Sequence, residues 1–175
     1  MTTVFIAILA FFVLSNVIVE YRNRKLFPPF RTDLSGYLSV VPLHWLQDAG
    51  YLVLALALPA IGFYLGGLSV EILFSLACVG LISVVVTKLV IQYAKLGPFV
   101  NSDLETAHIA SAGVTYGCLT AALLIHSWLQ PNVTFICALL APLSAAAFNR
   151  LASGKTALEE KTYTLFLLIA TFAAL

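Results

Sequence analysis

Six long runs of apolar residues, separated by short polar segments, divide this chain. They cover approximately residues 3–19, 43–65, 68–92, 107–128, 133–149 and 162–175. A helix needs about 20 apolar residues to cross the roughly 30 Å hydrocarbon layer of a bilayer. The pattern therefore predicts an all-α membrane protein, in which a single domain over residues 1–175 forms a six-transmembrane helical bundle. The last run covers only about 21 Å at about 1.5 Å per residue, so it stops before the outer headgroups or the natural chain is longer.

The connection between the first two runs holds a short apolar stretch, residues 34–41. This stretch is too apolar for a solvated loop and too short to span a membrane. It predicts a short re-entrant or interfacial helix, with Thr32 or Asp33 as its N-cap. The basic cluster of residues 22–25 beside it would attract anionic lipid headgroups, although membrane topology alone also explains those charges.

The basic residues occupy alternate connections and thereby predict an orientation. Four follow the first run, two close the third and three separate the fifth from the sixth: Arg22, Arg24, Lys25 and Arg31; Lys88 and Lys95; Arg150, Lys155 and Lys161. Cytoplasmic loops retain Lys and Arg, so the first, third and fifth spans end in the cytoplasm and both termini lie outside. We therefore expect a multi-pass protein of a cytoplasmic (inner) membrane.

The composition agrees with membrane insertion and excludes several functional classes. Hydrophobic residues make up 61 % of the chain and charged residues 10 %, against about 45–50 % and about 25 % in soluble domains. A net charge of +1 offers no basic surface for nucleic acid. The three cysteines lie inside apolar runs without CxxC spacing, which favours packing over a disulfide or a metal. No cofactor motif occurs, and we expect no cofactor.

Small residues in the fourth and fifth runs predict a close helix contact. Gly113 and Gly117 form a GxxxG pair, and residues 138–147 of the fifth run are also rich in alanine. Small residues let helix backbones approach closely inside a membrane. We therefore expect the fourth and fifth spans to pack together near the bundle centre. The same motif gives weaker support to a homo-oligomer or a partner subunit.

Polar residues with potential chemistry concentrate at the predicted cytoplasmic side. His44 and Asp48 are four apart, and Glu105 and His108 are three apart, so each pair lies on one face of a helix. Three interpretations remain open: helix-start residues that complement the helix dipole, a polar-substrate or lipid-headgroup site, and a divalent-metal site. The metal interpretation is the weakest, because Glu-x-x-His occurs once here and twice in di-iron bundles. Lys88 is expected to pair with Asp48 or Glu105, or to extend towards the headgroups.

Other polar residues complete this predicted cytoplasm-facing cavity. In the first span Asn16 and Glu20 are four apart and are positioned to hydrogen-bond into it. The candidate ligand-binding residues are therefore Asp33, Ser35, Tyr37, His44, Asp48, Lys88, Glu105 and His108. Membrane lipids and a small amphipathic ligand are the expected partners, and a lipid-binding or lipid-handling protein is the first functional hypothesis.

The second hypothesis is a membrane-embedded, hydrolase-like enzyme. His108 or His44 would be its general base, oriented by Glu105 or Asp48. Ser35 is the one candidate nucleophile near these residues. A small proton-coupled transporter using Asp48 and Lys88 is a third hypothesis, but the apolar outer halves of the second and third spans offer few polar residues for an outward path.

Short motifs near the second, fourth and sixth spans resemble a family of bacterial membrane proteins. They are Leu34-Ser35-Gly36-Tyr37, Trp45-Leu46 and Ala49-Gly50-Tyr51-Leu52; His108 at the start of a small-residue span; and Gly154 with Glu159–Lys161. In these segments the chain resembles the family known as domain of unknown function 998. Gly36 replaces a commonly acidic residue, and Pro42 is shifted from the family's Gly-Pro. The resemblance implies a compact helical bundle with Ser35, Tyr37 and His108 as positions of interest, and it implies no established reaction.

Overall fold

The computed structural model describes residues 1–25, 42–94, 98–128, 132–151 and 157–175. Within these ranges the regular secondary structure is entirely α-helical, which confirms the all-α part of the predicted fold class. The helices are α1 (Thr2–Asn23), α2 (His44–Leu65), α3 (Leu68–Tyr93), α4 (Pro98–Ser127), α5 (Val133–Leu151) and α6 (Leu158–Ala174).

Four of the helices are long and apolar enough to cross a membrane: α1, α2, α3 and the part of α4 from Ser102 to Ser127. In α5 the apolar stretch is shorter, Val133–Ala147, and α6 has 17 residues. Large apolar side chains are exposed around the bundle, including Leu56 at 70 %, Phe63 at 74 % and Ile109 at 71 %. Continuous apolar exposure of this kind is typical of a surface that faces lipid, so the chain is a membrane protein.

The fourth helix begins earlier than the apolar pattern indicates. It starts at Pro98 rather than near residue 107, and proline is favoured at a first helical position because its missing N–H would have no intrahelical partner. Glu105 and His108 therefore lie inside the helix, and its first turn contains no acidic residue. The interpretation of this pair as helix-start residues is wrong.

Helices that follow one another in the chain pack side by side. The α1–α2, α2–α3, α3–α4 and α5–α6 pairs make the broadest contacts, while α6 also meets α4 and makes a narrow contact with α1. Between α2 and α3 the turn is only Gly66-Gly67, with φ of +80° and +90°, values that favour glycine. The bundle core contains Leu58, Ile61 and Phe74.

The α3 and α4 helices approach each other closely at Gly80. A Cβ atom there would lie 2.5 Å from the Thr115 Oγ1 and 2.9 Å from the Ser111 carbonyl oxygen. One turn along α3, the Ser83 hydroxyl accepts a hydrogen bond of 2.9 Å from the Ser111 hydroxyl. A single glycine and a serine pair thus set the spacing of these two helices.

The expected close contact through Gly113 and Gly117 does not form. A Cβ atom added to either glycine would meet no described atom within 4 Å. The α4 helix does contact α5, but these two glycines face open space. The GxxxG motif therefore reflects only the small size of these residues. The α3 helix, which packs closely on α4, contacts a different face of α4.

We predict that Gly80→Ala destabilises the protein and that Gly113→Ala does not. The added methyl at position 80 must displace Thr115 or the α4 backbone, and such overpacking costs about 1–3 kcal/mol. At position 113 the same methyl enters open space. Thermal unfolding of both purified variants in the same detergent measures the difference. Equal thermal unfolding temperatures for the two variants would contradict the close approach of α3 and α4.

Candidate functional site

Polar and charged side chains from five helices meet at one end of the bundle, which we call the polar end. This end contains the last turns of α1 and α3, the first turns of α2 and α6, and the N-terminal half of α4. Its residues are Asn16 and Glu20; His44, Gln47 and Asp48; Thr87 and Lys88; Glu105 and His108; and Glu159, Glu160 and Lys161. The hairpin connections of consecutive helices bring these chain segments to the same end.

The predicted His44–Asp48 pair forms within the first turns of α2. The His44 Nδ1 and the Asp48 Oδ2 are 2.8 Å apart, and the His44 Nε2 lies 3.4 Å from the Tyr93 hydroxyl at the end of α3. Asp48 is buried and His44 is partly exposed. This pair therefore connects the start of α2 to the end of α3.

Asn16 hydrogen-bonds into the polar end, as its position in α1 predicted. The Gln47 side-chain amide donates a 2.6 Å hydrogen bond to the Asn16 Oδ1. The Asn16 amide in turn donates to the Phe12 carbonyl oxygen at 2.8 Å. Gln47 is fully buried, and the sequence analysis missed it because one amide in an apolar run carries no recognisable motif.

An ion pair joins the first and last helices. Glu20 at the end of α1 pairs with Lys161 near the start of α6, and their side chains are 20 % and 19 % exposed. Because α1 and α6 make only a narrow contact otherwise, this pair is a principal link between them. In the sequence Lys161 is recognisable as a topology signal and as part of the Glu159–Lys161 motif, but its pairing with Glu20 is not, because the two residues are far apart in the chain.

His108 is oriented by the backbone of α3 and not by Glu105. It is 6 % exposed, and its Nδ1 lies 3.1 Å from the Val84 carbonyl oxygen and 3.2 Å from the Thr87 hydroxyl. A carbonyl oxygen can only accept, so we assign the hydrogen to Nδ1 and the lone pair to Nε2. The Thr87 hydroxyl donates to the Ser83 carbonyl oxygen and accepts from Nδ1. Glu105, the expected orienting group, is exposed.

The two His–carboxylate pairs stay separate. In the part of the chain that the structure describes, no three His, Cys, Asp or Glu side chains are grouped as a metal ion requires. His44, Asp48, Glu105 and His108 thus do not form one metal-binding cluster. Lys88 is half-buried. The remaining candidates, Asp33, Ser35 and Tyr37, lie outside the described residues.

A groove between α4, α5 and α6 begins at the polar end, and we call it the α4–α6 groove. Its volume is about 480 Å³, and it is lined by His108, Ile109, Ala112, Gly113, Tyr116, Gly117, Ala145, Glu159, Glu160 and Tyr163. From His108 to Gly117 it extends about 13 Å along α4 at about 1.5 Å per residue. Ile109, Gly113 and Gly117 are exposed, so the groove opens sideways.

Hydrogen bonds between α4 and α6 separate this groove from a small cavity in the bundle centre. The Tyr116 hydroxyl donates to the Glu160 Oε1 at 3.3 Å and lies 2.9 Å from the Thr164 hydroxyl. Further along, the Thr120 and Tyr163 hydroxyls are 2.8 Å apart. The central cavity measures about 60 Å³ and has mainly apolar walls. The larger groove is therefore the candidate binding site.

Comparison with known proteins adds no relative. No family model, no curated protein and no solved structure matches the chain. The resemblance to the domain of unknown function 998 family stays a prediction that rests on its short motifs. Of those motifs, Trp45-Leu46, residues 49–52 and His108 lie in described helices, whereas Ser35 and Tyr37 do not.

We predict that removal of one partner of the Glu20–Lys161 pair costs more stability than removal of both. Glu20→Gln or Lys161→Met alone leaves a poorly solvated charge, with an expected loss of about 1–3 kcal/mol. The double variant leaves no such charge and should recover most of the loss. Thermal unfolding in detergent measures the three variants against Arg22→Gln, which removes an exposed charge from the same helix. Additive losses in the double variant would exclude a direct interaction.

Proposed function

We propose that this chain is a six-span protein of a bacterial cytoplasmic membrane that binds a lipid or a similar amphipathic molecule in the α4–α6 groove. In this proposal the polar end faces the cytoplasm and both termini lie outside. The observation that carries the proposal is the groove itself, which is polar at one end, has small and apolar residues along its length, and opens sideways.

The composition of the groove fits an amphipathic ligand. Ile109, Ala112 and Ala145 provide apolar contact along its length, while His108, Glu159 and Glu160 provide polar contact at one end. Its volume of about 480 Å³ falls within the roughly 300–1,000 Å³ that is usual for ligand pockets. A ligand with a headgroup and a chain would satisfy both parts at once.

The sideways opening supports a ligand that arrives from the bilayer. The stretch of α4 that lines the groove lies within the candidate membrane span Ser102–Ser127. Gly113 and Gly117 leave a recess there that no described side chain fills. Because a recess in hydrocarbon is filled by whatever apolar chain is nearest, a lipid tail is the natural occupant.

We predict that Gly113→Leu and Gly117→Leu displace the ligand without loss of folding. Each new side chain enters the open recess of the groove, where an added Cβ meets no described atom within 4 Å. Lipid that co-purifies with the protein, quantified by native mass spectrometry in mild detergent, should fall several-fold. Ala60→Leu, on an exposed position of α2, adds the same bulk elsewhere and should retain wild-type lipid.

Two results of that experiment would contradict the proposal. Unchanged lipid in both glycine variants would place the bound lipid elsewhere on the protein. If instead the wild type were a dimer and the glycine variants monomers, and neither bound lipid, the groove would be a contact surface for a second copy of the chain.

A separate prediction tests the orientation. On a Cys-free background, single cysteines at Gly67 and Asn132 should react with a membrane-impermeant thiol reagent added outside cells. Cysteines at Asn101 and Ser153 should react only after the membrane is made permeable, because the basic residues accompany those connections. Outside labelling at Ser153 would overturn the proposed topology.

A further inference from the structure

We infer that the α4–α6 groove selects lipids whose headgroup carries a primary ammonium, that is, the phosphatidylethanolamine class. This inference rests on the proposed function and specifies its ligand. It follows from the hydrogen-bonding groups at the polar end of the groove, which offer acceptors and a negative charge.

The first acceptor is the Nε2 atom of His108. The hydrogen of this ring lies on Nδ1, which donates to the Val84 carbonyl oxygen at 3.1 Å. Every hydrogen bond of this ring to a described residue involves Nδ1, so the Nε2 lone pair has no protein donor among them. His108 is more than nine-tenths buried and lines the groove. This acceptor is therefore available to a donor in the groove.

The carboxylates of Glu159 and Glu160 supply the other acceptors. Glu159 is half-buried at the groove wall. Glu160 accepts from the Tyr116 hydroxyl, and an ionised carboxylate has about four lone-pair sites, so it can accept more than one hydrogen bond. An ionised carboxylate accepts hydrogen bonds and donates none.

The hydroxyl groups of the groove already have partners. Tyr116 is hydrogen-bonded to Glu160 and Thr164, and Tyr163 is hydrogen-bonded to Thr120. No Lys or Arg is among the described residues that line the groove. Lys161 is paired with Glu20 on α1, and Lys88 on α3 is not one of the lining residues.

A primary ammonium complements this arrangement better than other common headgroups. It supplies three N–H donors and one positive charge, which match one imidazole acceptor and two carboxylates. A choline group carries the same charge but has no N–H to donate to Nε2. A glycerol headgroup has hydroxyl donors but brings only its phosphate's negative charge towards Glu159 and Glu160, which is unfavourable.

The decisive experiment offers the three headgroups in competition. Full-length protein is placed in nanodiscs that contain equal amounts of phosphatidylethanolamine, phosphatidylcholine and phosphatidylglycerol with matched acyl chains. The protein is then released from the nanodiscs in a native mass spectrometer, and the lipid that stays bound to it is identified. We expect ethanolamine lipid to be retained about tenfold over each of the others, equivalent to about 1.4 kcal/mol. Equal retention of choline lipid, or a preference for glycerol lipid, would overturn the inference.

Two variants test the named acceptors. Glu159→Gln removes a negative charge, and His108→Asn keeps an amide N–H near the Nδ1 position while it removes the Nε2 acceptor. Each should lower the preference for ethanolamine over choline lipid to about twofold or less. The controls are Glu71→Gln, at the opposite end of the bundle, and His126→Asn, near the far end of α4; both should keep the preference.

The glycine variants separate failure of this inference from failure of the proposed function. If Gly113→Leu removes lipid but the wild type shows no headgroup preference, the groove binds lipid and only the inference fails. If Gly113→Leu removes no lipid, the proposed function fails as well. If one acceptor variant does not fold, the wild-type competition still decides the inference.

Discussion

Transmembrane helices gain no hydrophobic energy when they bury apolar side chains against each other instead of against lipid, so other interactions must hold this bundle together. Close backbone contact and side-chain hydrogen bonds are the remaining means, and both occur here. At Gly80 the α3 and α4 helices are close enough that a Cβ would be 2.5 Å from Thr115, and a serine pair bonds them one turn away. Asn16 and Gln47 perform the same task between α1 and α2.

The same constraint explains why the groove lies beside α6. Among the described residues, polar contacts join this helix to α1 and α4: Glu20–Lys161, Tyr116–Glu160, Tyr116–Thr164 and Thr120–Tyr163. The groove lies on the side of α4 that carries Gly113 and Gly117. Tyr116, Glu160 and Tyr163 both line the groove and take part in the α4–α6 contacts, so the same residues attach α6 and form the wall of the groove.

The helices and the gathering of polar residues at one end could be predicted from the sequence, because both are local or periodic properties. The His44–Asp48 pair follows from its spacing alone. The start of α4 could not be predicted, since residues 98–106 are too polar for the apolar pattern to include. Glu20 and Lys161 meet only because α6 returns to α1. Gly80 has no motif around it, whereas the GxxxG of α4 suggested a contact that none of the described helices makes. Which residues become neighbours in space is determined by the tertiary packing of the helices. Composition and residue spacing do not contain that information.

In the proposed site, His108 would serve both helix packing and ligand recognition. Its Nδ1 is bound to the α3 backbone, so it contributes to the α3–α4 contact, and this bond leaves only a lone pair at Nε2. A donor in the groove would polarise the ring and strengthen the Nδ1 hydrogen bond, because consecutive hydrogen bonds reinforce one another in a medium of low dielectric constant. Ligand binding would thereby tighten the helix contact on which the groove wall depends. The α4 helix, which forms one wall of the groove, would then be held more firmly to α3 when the groove is occupied, and this effect would be lost if the Nε2 acceptor were removed.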